Sequence, residues 1–228
     1  MIIDLTHTLT EAMPLWPKAK PFNHRLATDY DTHGYRTFLL QQPEGIGTHM
    51  DAPAHFIKDG RTISDLSCTE LVAPGCIIDV RSQVAQNDDY KISAKDVLEW
   101  EKEHGLIPAK ALVLGLTGWS QYWFDVKKYQ NMDANGVMHF PGWSESAAKL
   151  LIERDIVGVG IDTLSIDAAI AIDHIAHHIF LENDKYQLEN LANLDKLPAV
   201  GMTIIALPMK IQNGAEAPVR AIALKKII

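Results

Sequence analysis

The 228-residue sequence is poor in cysteine, with only Cys68 and Cys76. Two cysteines exclude a disulfide-stapled scaffold, and both are expected as buried, reduced thiols. Positive charge is also in deficit. Against 29 Asp and Glu stand 21 Lys and Arg, a net charge of −8, which opposes attraction to nucleic acid or to an anionic membrane surface. No uninterrupted apolar stretch reaches membrane-spanning length, and the start Met1-Ile2-Ile3-Asp4-Leu5-Thr6-His7 has no basic segment leading into a long apolar run. Neither a membrane span nor a secretory signal is therefore expected, and a cytoplasmic protein is. Internal repeats, low-complexity tracts and a convincing interdomain linker are missing as well.

What remains is an ordinary globular composition, 47% apolar and 22% charged, which argues against disorder. The length points to one domain spanning residues 1–228. A core of that size stands without disulfides or a structural metal, so any metal bound here is free to be catalytic.

Short apolar, β-branched runs read as buried strands: Ile2 to Leu5, Thr37 to Leu40, Cys76 to Val80, Ala111 to Leu116, Ile156 to Ile161, Met202 to Ala206 and Val219 to Leu224. Between them Ser93 caps a helix in which Ala94, Val97 and Leu98 share a face, Ala147, Leu150 and Leu151 repeat that spacing, and a third helix covers Asp173 to Leu181. Arg81 to Tyr90 and Asp125 to Gly136 read as surface connections. The order of elements predicts a mixed α/β domain rather than a regular doubly wound sheet.

Ten histidines are present, and two lie in Gly47-Thr48-His49-Met50-Asp51-Ala52-Pro53-Ala54-His55-Phe56. On an extended backbone residues i and i+2 share a face, so His49 and Asp51 converge on one cation, and an imidazole with a carboxylate suits zinc or manganese. Pro53 ends the extended path and turns His55 toward the same pocket, where an imidazole suits proton transfer near neutral pH. A second cluster, His174-Ile175-Ala176-His177-His178, is followed by Glu189. On a helix His174 and His178 share one face and His177 lies on another with Asp173, so spacing permits either His174 with His178, or His177, as ligand.

The segment from Gly47 to Phe56 resembles the Gly-Thr-His-x-Asp-x-Pro-x-His-Phe signature of the cyclase family of metal-dependent hydrolases, kynurenine formamidases and isatin hydrolases among them. Similar segments occur at Asp4-Leu5-Thr6-His7, Met13-Pro14-Leu15-Trp16-Pro17, Gly160-Ile161-Asp162-Thr163, Glu189-Asn190-Leu191, Ala206-Leu207-Pro208 and Pro218-Val219-Arg220-Ala221, so the resemblance spans nearly the whole chain. It implies His49, Asp51, His177 and Glu189 as metal ligands, with His55 as the proton-transfer residue and His174 and His178 outside the ligand set. It also implies the family's swivelling β/β/α fold with a mixed sheet, and a homodimer or homotetramer.

Many members carry a further ligand histidine four positions before the motif histidine, where this chain has Gly45. A single divalent ion, zinc or manganese, is therefore expected in preference to two, with Glu44 or Gln212 as replacement donors if a second is held. The implied activity is attack of a metal-activated water on a formamide-like amide of a small-molecule substrate. Opening of a cyclic amide or lactone by the same chemistry is the alternative, and a catalytically silent metal-binding member is another, which the presence of His55 disfavours. Asp162 has two readings, orienting a ligand histidine or capping a turn. Trp16 and Trp119 resemble family positions near the substrate, or are core. Arg220 pairs with a substrate carboxylate or with a structural partner. Asp167 and Asp173 read as solvated or capping carboxylates.

Overall fold

Period-two alternation along the strands decides which side chains line the interior and which face outward. The computed structural model describes residues 1–225. Its strands are β1 (Ile2–Asp4), β2 (Asn23–Thr28), β3 (Thr37–Gln41), β4 (His49–Asp51), β5 (Val72–Asp79), β6 (Lys91–Ile92), β7 (Leu112–Leu116), β8 (Gly142–Trp143), β9 (Gly158–Ile161), β10 (Tyr186–Glu189), β11 (Met202–Pro208) and β12 (Glu216–Lys225). The helices are α1 (Tyr30–His33), α2 (Arg81–Val84), α3 (Ala94–His104), α4 (Val126–Gln130), α5 (Glu145–Glu153) and α6 (Ile175–Glu182).

Eight strands form one mixed sheet in the order β1-β12-β11-β5-β7-β9-β10-β4. Because β12 also pairs with β4, the sheet closes into a barrel, which removes all but the short β1 edge. Strands β5, β7, β9 and β10 run parallel, whereas β4, β11 and β12 join antiparallel. This is the expected mixed α/β arrangement, with barrel closure added.

Two apolar clusters separate along the alternation. Leu112, Leu114 and Leu116 of β7 fill the barrel with Met50, Leu188, Ile204, Ala217 and Ala221. Val113 of the same strand faces the other way, into the layer containing Trp100 of α3, Trp143 of β8, Leu151 of α5 and Phe180 of α6. Ser93 caps α3, its hydroxyl accepting from Asp96 N while the Asp96 carboxylate accepts from Ser93 N, so its start falls where the sequence puts it.

The expected strands and the three longer helices are present. Other features differ, and strands β2, β6, β8 and β10 lie outside the runs expected as strands. Strand β10 lacks the β-branched run that marks a strand, because both its faces are filled by large or polar side chains with specific partners. The two stretches expected as connections each contain a short helix, α2 and α4, the latter capped by the Asp125 carboxylate accepting from Lys128 N. Cys68 is exposed and only Cys76 is buried; both are free. Burial pushes the Cys76 thiol up to about 11, which keeps it protonated and unreactive. The β2–β3 ribbon pairs with itself and exposes Leu26, Leu39 and Leu40. Among the described residues no helix is long and apolar enough to cross a membrane.

His7 lies flat on Trp123, ring centroids 4.1 Å apart, with Nε2 buried and unpartnered among the described residues. Burial, only partly opposed by the charge of Asp4, lowers its pKa to about 4. A folded-state value below the ordinary 6.5 contributes stability above that pH, and this contribution is lost as pH falls toward 4. Thermal unfolding followed from pH 7 to pH 4 should therefore show a fall in midpoint that His7→Phe, which keeps the stack, makes shallower. An unchanged pH profile in the variant would contradict this account.

Candidate metal centre

Strand β4 is three residues long and has neighbours on both sides. Its inward side chain is Met50, so His49 and Asp51 point out of the barrel. Register then selects what stands beside them: Glu189 of β10 lies opposite His49, and Glu216 of β12 lies opposite Asp51. Helix α6 covers this patch and brings His177 onto it.

The result is a ring of four buried groups. His49 Nε2 is 3.4 Å from Asp51 Oδ1 and 3.4 Å from Glu189 Oε2; His177 Nε2 is 3.6 Å from Asp51 Oδ2 and 3.2 Å from Glu189 Oε1. Exposure is 5% or less for all four. Each imidazole is held from behind. Nδ1 of His49 is 2.9 Å from the Gly47 carbonyl, and Nδ1 of His177 is 2.6 Å from Asp167 Oδ2. A proton on each Nδ1, donated outward, turns both Nε2 lone pairs inward. Glu189 Oε1 is itself fixed by accepting from Ile166 N at 2.9 Å.

Both oxygens of Asp51 are buried without a hydrogen-bond partner among the described residues, an expensive arrangement for a carboxylate unless a cation completes it. Donors held about 2.0–2.2 Å from one first-row ion stand roughly 3.0–3.5 Å apart, which is close to the spacing of neighbouring pairs around the ring. Chemistry and geometry therefore both fit a divalent metal. Burial alone pulls the His49 imidazole down, but the adjoining Glu189 carboxylate and the charges of Asp51 and Glu216 override it and raise it to about 10. His177 is likewise pulled down by burial and driven well above 6.5 by Asp167, Asp51 and Glu189. Burial pushes Glu189 up, and its two imidazole neighbours pull it well below the usual carboxylate range. Without metal, the cluster stores protons on its imidazoles.

The Pro53–His55 turn is a single 3-10 turn, and it delivers His55 to the wall of a cavity of about 290 Å³ that also includes Trp16, Phe56, His174 and Glu216. His55 Nδ1 is 3.7 Å from Glu216 Oε2. Phe56 stacks on His177 with centroids 4.8 Å apart, covering the ring from solvent. Of the two helical alternatives, His177 points to the ring. His174 lines the cavity, and His178 faces Glu182 on the surface.

For Asp162, Trp119 and Arg220 the structure takes one of the two readings left open, and it brings neither Glu44 nor Gln212 to the ring. Asp162 does not orient a histidine: its carboxylate accepts from Thr117 N, Thr117 Oγ1 and Gly118 N, and burial, partly offset by those bonds, raises it to about 6. Asp167 takes the orienting role. It is buried, and its carboxylate also accepts from Ala176 N and His177 N, capping α6. Trp119 is core, its indole donating to the Tyr129 carbonyl. Arg220 is exposed and paired with Asp4 at 2.7 Å. Gln212 sits in the exposed turn between β11 and β12, away from the cavity wall. Glu44 serves backbone, accepting from Ala215 N and Glu216 N. The residue beside Gly45 is Glu216, which sequence reasoning missed because only the β12–β4 register brings it there.

Two measurements follow from this geometry. Replacing Asp167 with Ala should weaken divalent-metal affinity by about 10- to 100-fold, read by calorimetric titration, with circular dichroism to show that α6 persists; unaltered affinity would remove Asp167 from the orienting role. Because the metal must displace protons held by His49 and His177, uptake at neutral pH should release about two protons and tighten as pH rises. Titration in buffers of different ionisation enthalpy checks this, and release near zero contradicts it.

A cyclase family model matches residues 3–168. The chain is 37% identical over 212 residues to the isatin hydrolase of Roseibium aggregatum, covering 88% of this chain and 80% of that protein. It is 27% identical over 221 residues to a kynurenine formamidase of Bacillus anthracis, covering 96% and 95%. Its fold matches isatin hydrolase A from Ralstonia solanacearum with a TM-score of 0.93 at 33% identity, over 99% of this chain and 92% of that one.

Proposed function

The chain belongs to the cyclase family, and from that membership and the centre described above we propose that it is a metal-dependent hydrolase opening the amide bond of a small, neutral, aromatic cyclic amide. The observation that carries the hydrolase reading is Asp51, a buried carboxylate with two unpartnered oxygens set between two imidazole Nε2 atoms. His49, Asp51, His177 and Glu189 would hold one divalent ion. When bound, such an ion supplies an acidified water and Lewis-acid polarisation of a carbonyl.

The protein's own groups divide the remaining work. His55, 29% exposed in its side chain, lies between the buried ring and solvent. It takes the proton that a water loses as it adds to the carbonyl carbon, and returns that proton to the nitrogen as the carbon–nitrogen bond breaks. Water and cyclic amide thus become one carboxylic acid and one amine in a single product, and the acid releases its proton to solvent as it ionises to the carboxylate. Phe56 and His177 exclude bulk water behind the reacting carbonyl, and Trp16 provides a flat wall.

The cyclic rather than linear substrate is supported by the cavity. Among the described residues its wall has no Lys or Arg, so the ionised tail of an amino-acid substrate such as N-formylkynurenine would have no cationic side chain to meet it. The higher identity to an isatin hydrolase than to a kynurenine formamidase points the same way. Two imidazoles and two carboxylates suit either zinc or manganese.

Protein stripped with chelator and restored with manganese or zinc should hydrolyse isatin, with kcat/KM at least about tenfold above that for N-formylkynurenine. The reverse preference would reject the cyclic substrate, and inactivity on both with either metal would reject the hydrolase. His55→Ala should lower kcat by about 10²- to 10⁴-fold with metal content unchanged; full activity in that variant would remove His55 from proton transfer.

A further inference from the structure

Resting on the metal-hydrolase reading, we infer that Glu216 is a further ligand of the same ion, and that the missing side chain at Gly45 is what makes room for it. A Cβ built on Gly45 would fall on the Glu216 carboxylate, with Oε1 the nearest atom. Any side chain at position 45 therefore competes with Glu216 for one space. Gly45 is not among the residues of positive φ, so no backbone requirement explains the glycine.

Three observations aim Glu216 at the centre. Glu44 Oε2 accepts from Ala215 N at 2.9 Å and from Glu216 N at 3.2 Å, which anchors the first residues of β12. The β12–β4 register then sets Glu216 directly opposite Asp51. Finally, Oε1 is 3.7 Å from His49 Nε2, so it joins His49 and Asp51 in a group whose donor atoms lie within 4.8 Å of one another. Two carboxylates directly opposite on adjacent strands repel each other, and among the described residues the cavity wall supplies no Lys or Arg to separate them. A divalent ion between them removes the repulsion and satisfies the orphaned Asp51 oxygens at once.

The chemical consequence is a donor set of two imidazoles and three carboxylates, more heavily weighted to oxygen than the four-residue ring alone. Oxygen donors suit manganese, while imidazole suits zinc well. Glu216 is thus the residue that biases the site toward manganese. It lines the cavity beside His55, 24% exposed in its side chain.

The test is metal binding, with manganese followed by the electron paramagnetic resonance of the free aqueous ion and zinc by competition. Glu216→Gln should weaken manganese affinity at least tenfold and zinc affinity less. Gly45→Ala should weaken manganese to a similar degree, because its methyl displaces the carboxylate. Gly45→Ala added to Glu216→Ala should cost nothing further, since the methyl then enters emptied space. Manganese affinity within twofold of wild type in Glu216→Gln would overturn the inference, as would equal harm from Gly45→Ala with and without Glu216. If Glu216→Gln fails to fold by circular dichroism, the Gly45→Ala variant decides. Wild-type protein that binds neither metal would overturn the hydrolase reading as well, whereas binding that ignores Glu216 overturns this inference alone.

Discussion

A carboxylate taken out of water without a hydrogen-bond donor on either oxygen costs several kcal/mol unless charge compensates it, and Asp51 is such a group. Its surroundings are organised around that cost. Among the described residues the cations within reach are imidazoles, His49 and His177, whose pKa values rise because they face Asp51 and Glu189. A divalent ion offers more charge at shorter range, and the imidazoles then serve it as neutral donors. Asp167 and the Gly47 carbonyl prepare them for that state by occupying both Nδ1 atoms. The polar cluster is therefore coherent in two protonation states, one storing protons and one holding metal.

The same strand that carries this cost also ties the barrel shut. Strand β4 bonds to β10 on one edge and to β12 on the other, and its central residue Met50 is fully buried among the interior side chains. Moving its register by one residue would put His49 and Asp51 into the apolar interior and Met50 into the metal centre. Hydrophobic burial thus fixes the position of the polar groups, and the site inherits the rigidity of the closed sheet. Helix α6 is tied in separately: Asp167 caps its first turn and grips the His177 ring with one carboxylate.

Much of this was legible in the sequence where the information is local. His49 and Asp51 follow from strand periodicity, the turn to His55 from Pro53, and the start of α3 from Ser93 and Asp96. Features that depend on register across the chain were not. Glu216 sits in a segment of ordinary pattern, and its partner at position 45 is conspicuous only by having no side chain. Asp167 looked like a capping residue and is one, but the cap geometry also places its second oxygen against His177. Trp119, Asp162 and Arg220 each had a structural reading beside a functional one, and the structure takes the structural one for a common reason: each satisfies its polar atoms with a structural partner, which residue type and motif position do not reveal. His177 and Glu189 were reachable through family likeness, since helical spacing left two alternatives equal.

The charge of the cavity bears on turnover as well as on binding. On the proposed reading, a neutral cyclic amide would enter a wall of Trp16, Phe56 and Pro43 without surrendering the hydration of an ionic group. Its hydrolysis would then create a carboxylate inside a pocket that already contains Glu189 and Glu216, with no Lys or Arg among the described lining residues. Substrate and product would differ by one negative charge, which a bound divalent ion attracts and the carboxylates of the lining oppose. Glu189 and Glu216 would thereby weaken the ion's hold on the ring-opened acid. A substrate already carrying a carboxylate would meet that opposition on entry, so the electrostatics that suit the cyclic amide are those that disfavour the amino-acid formamide.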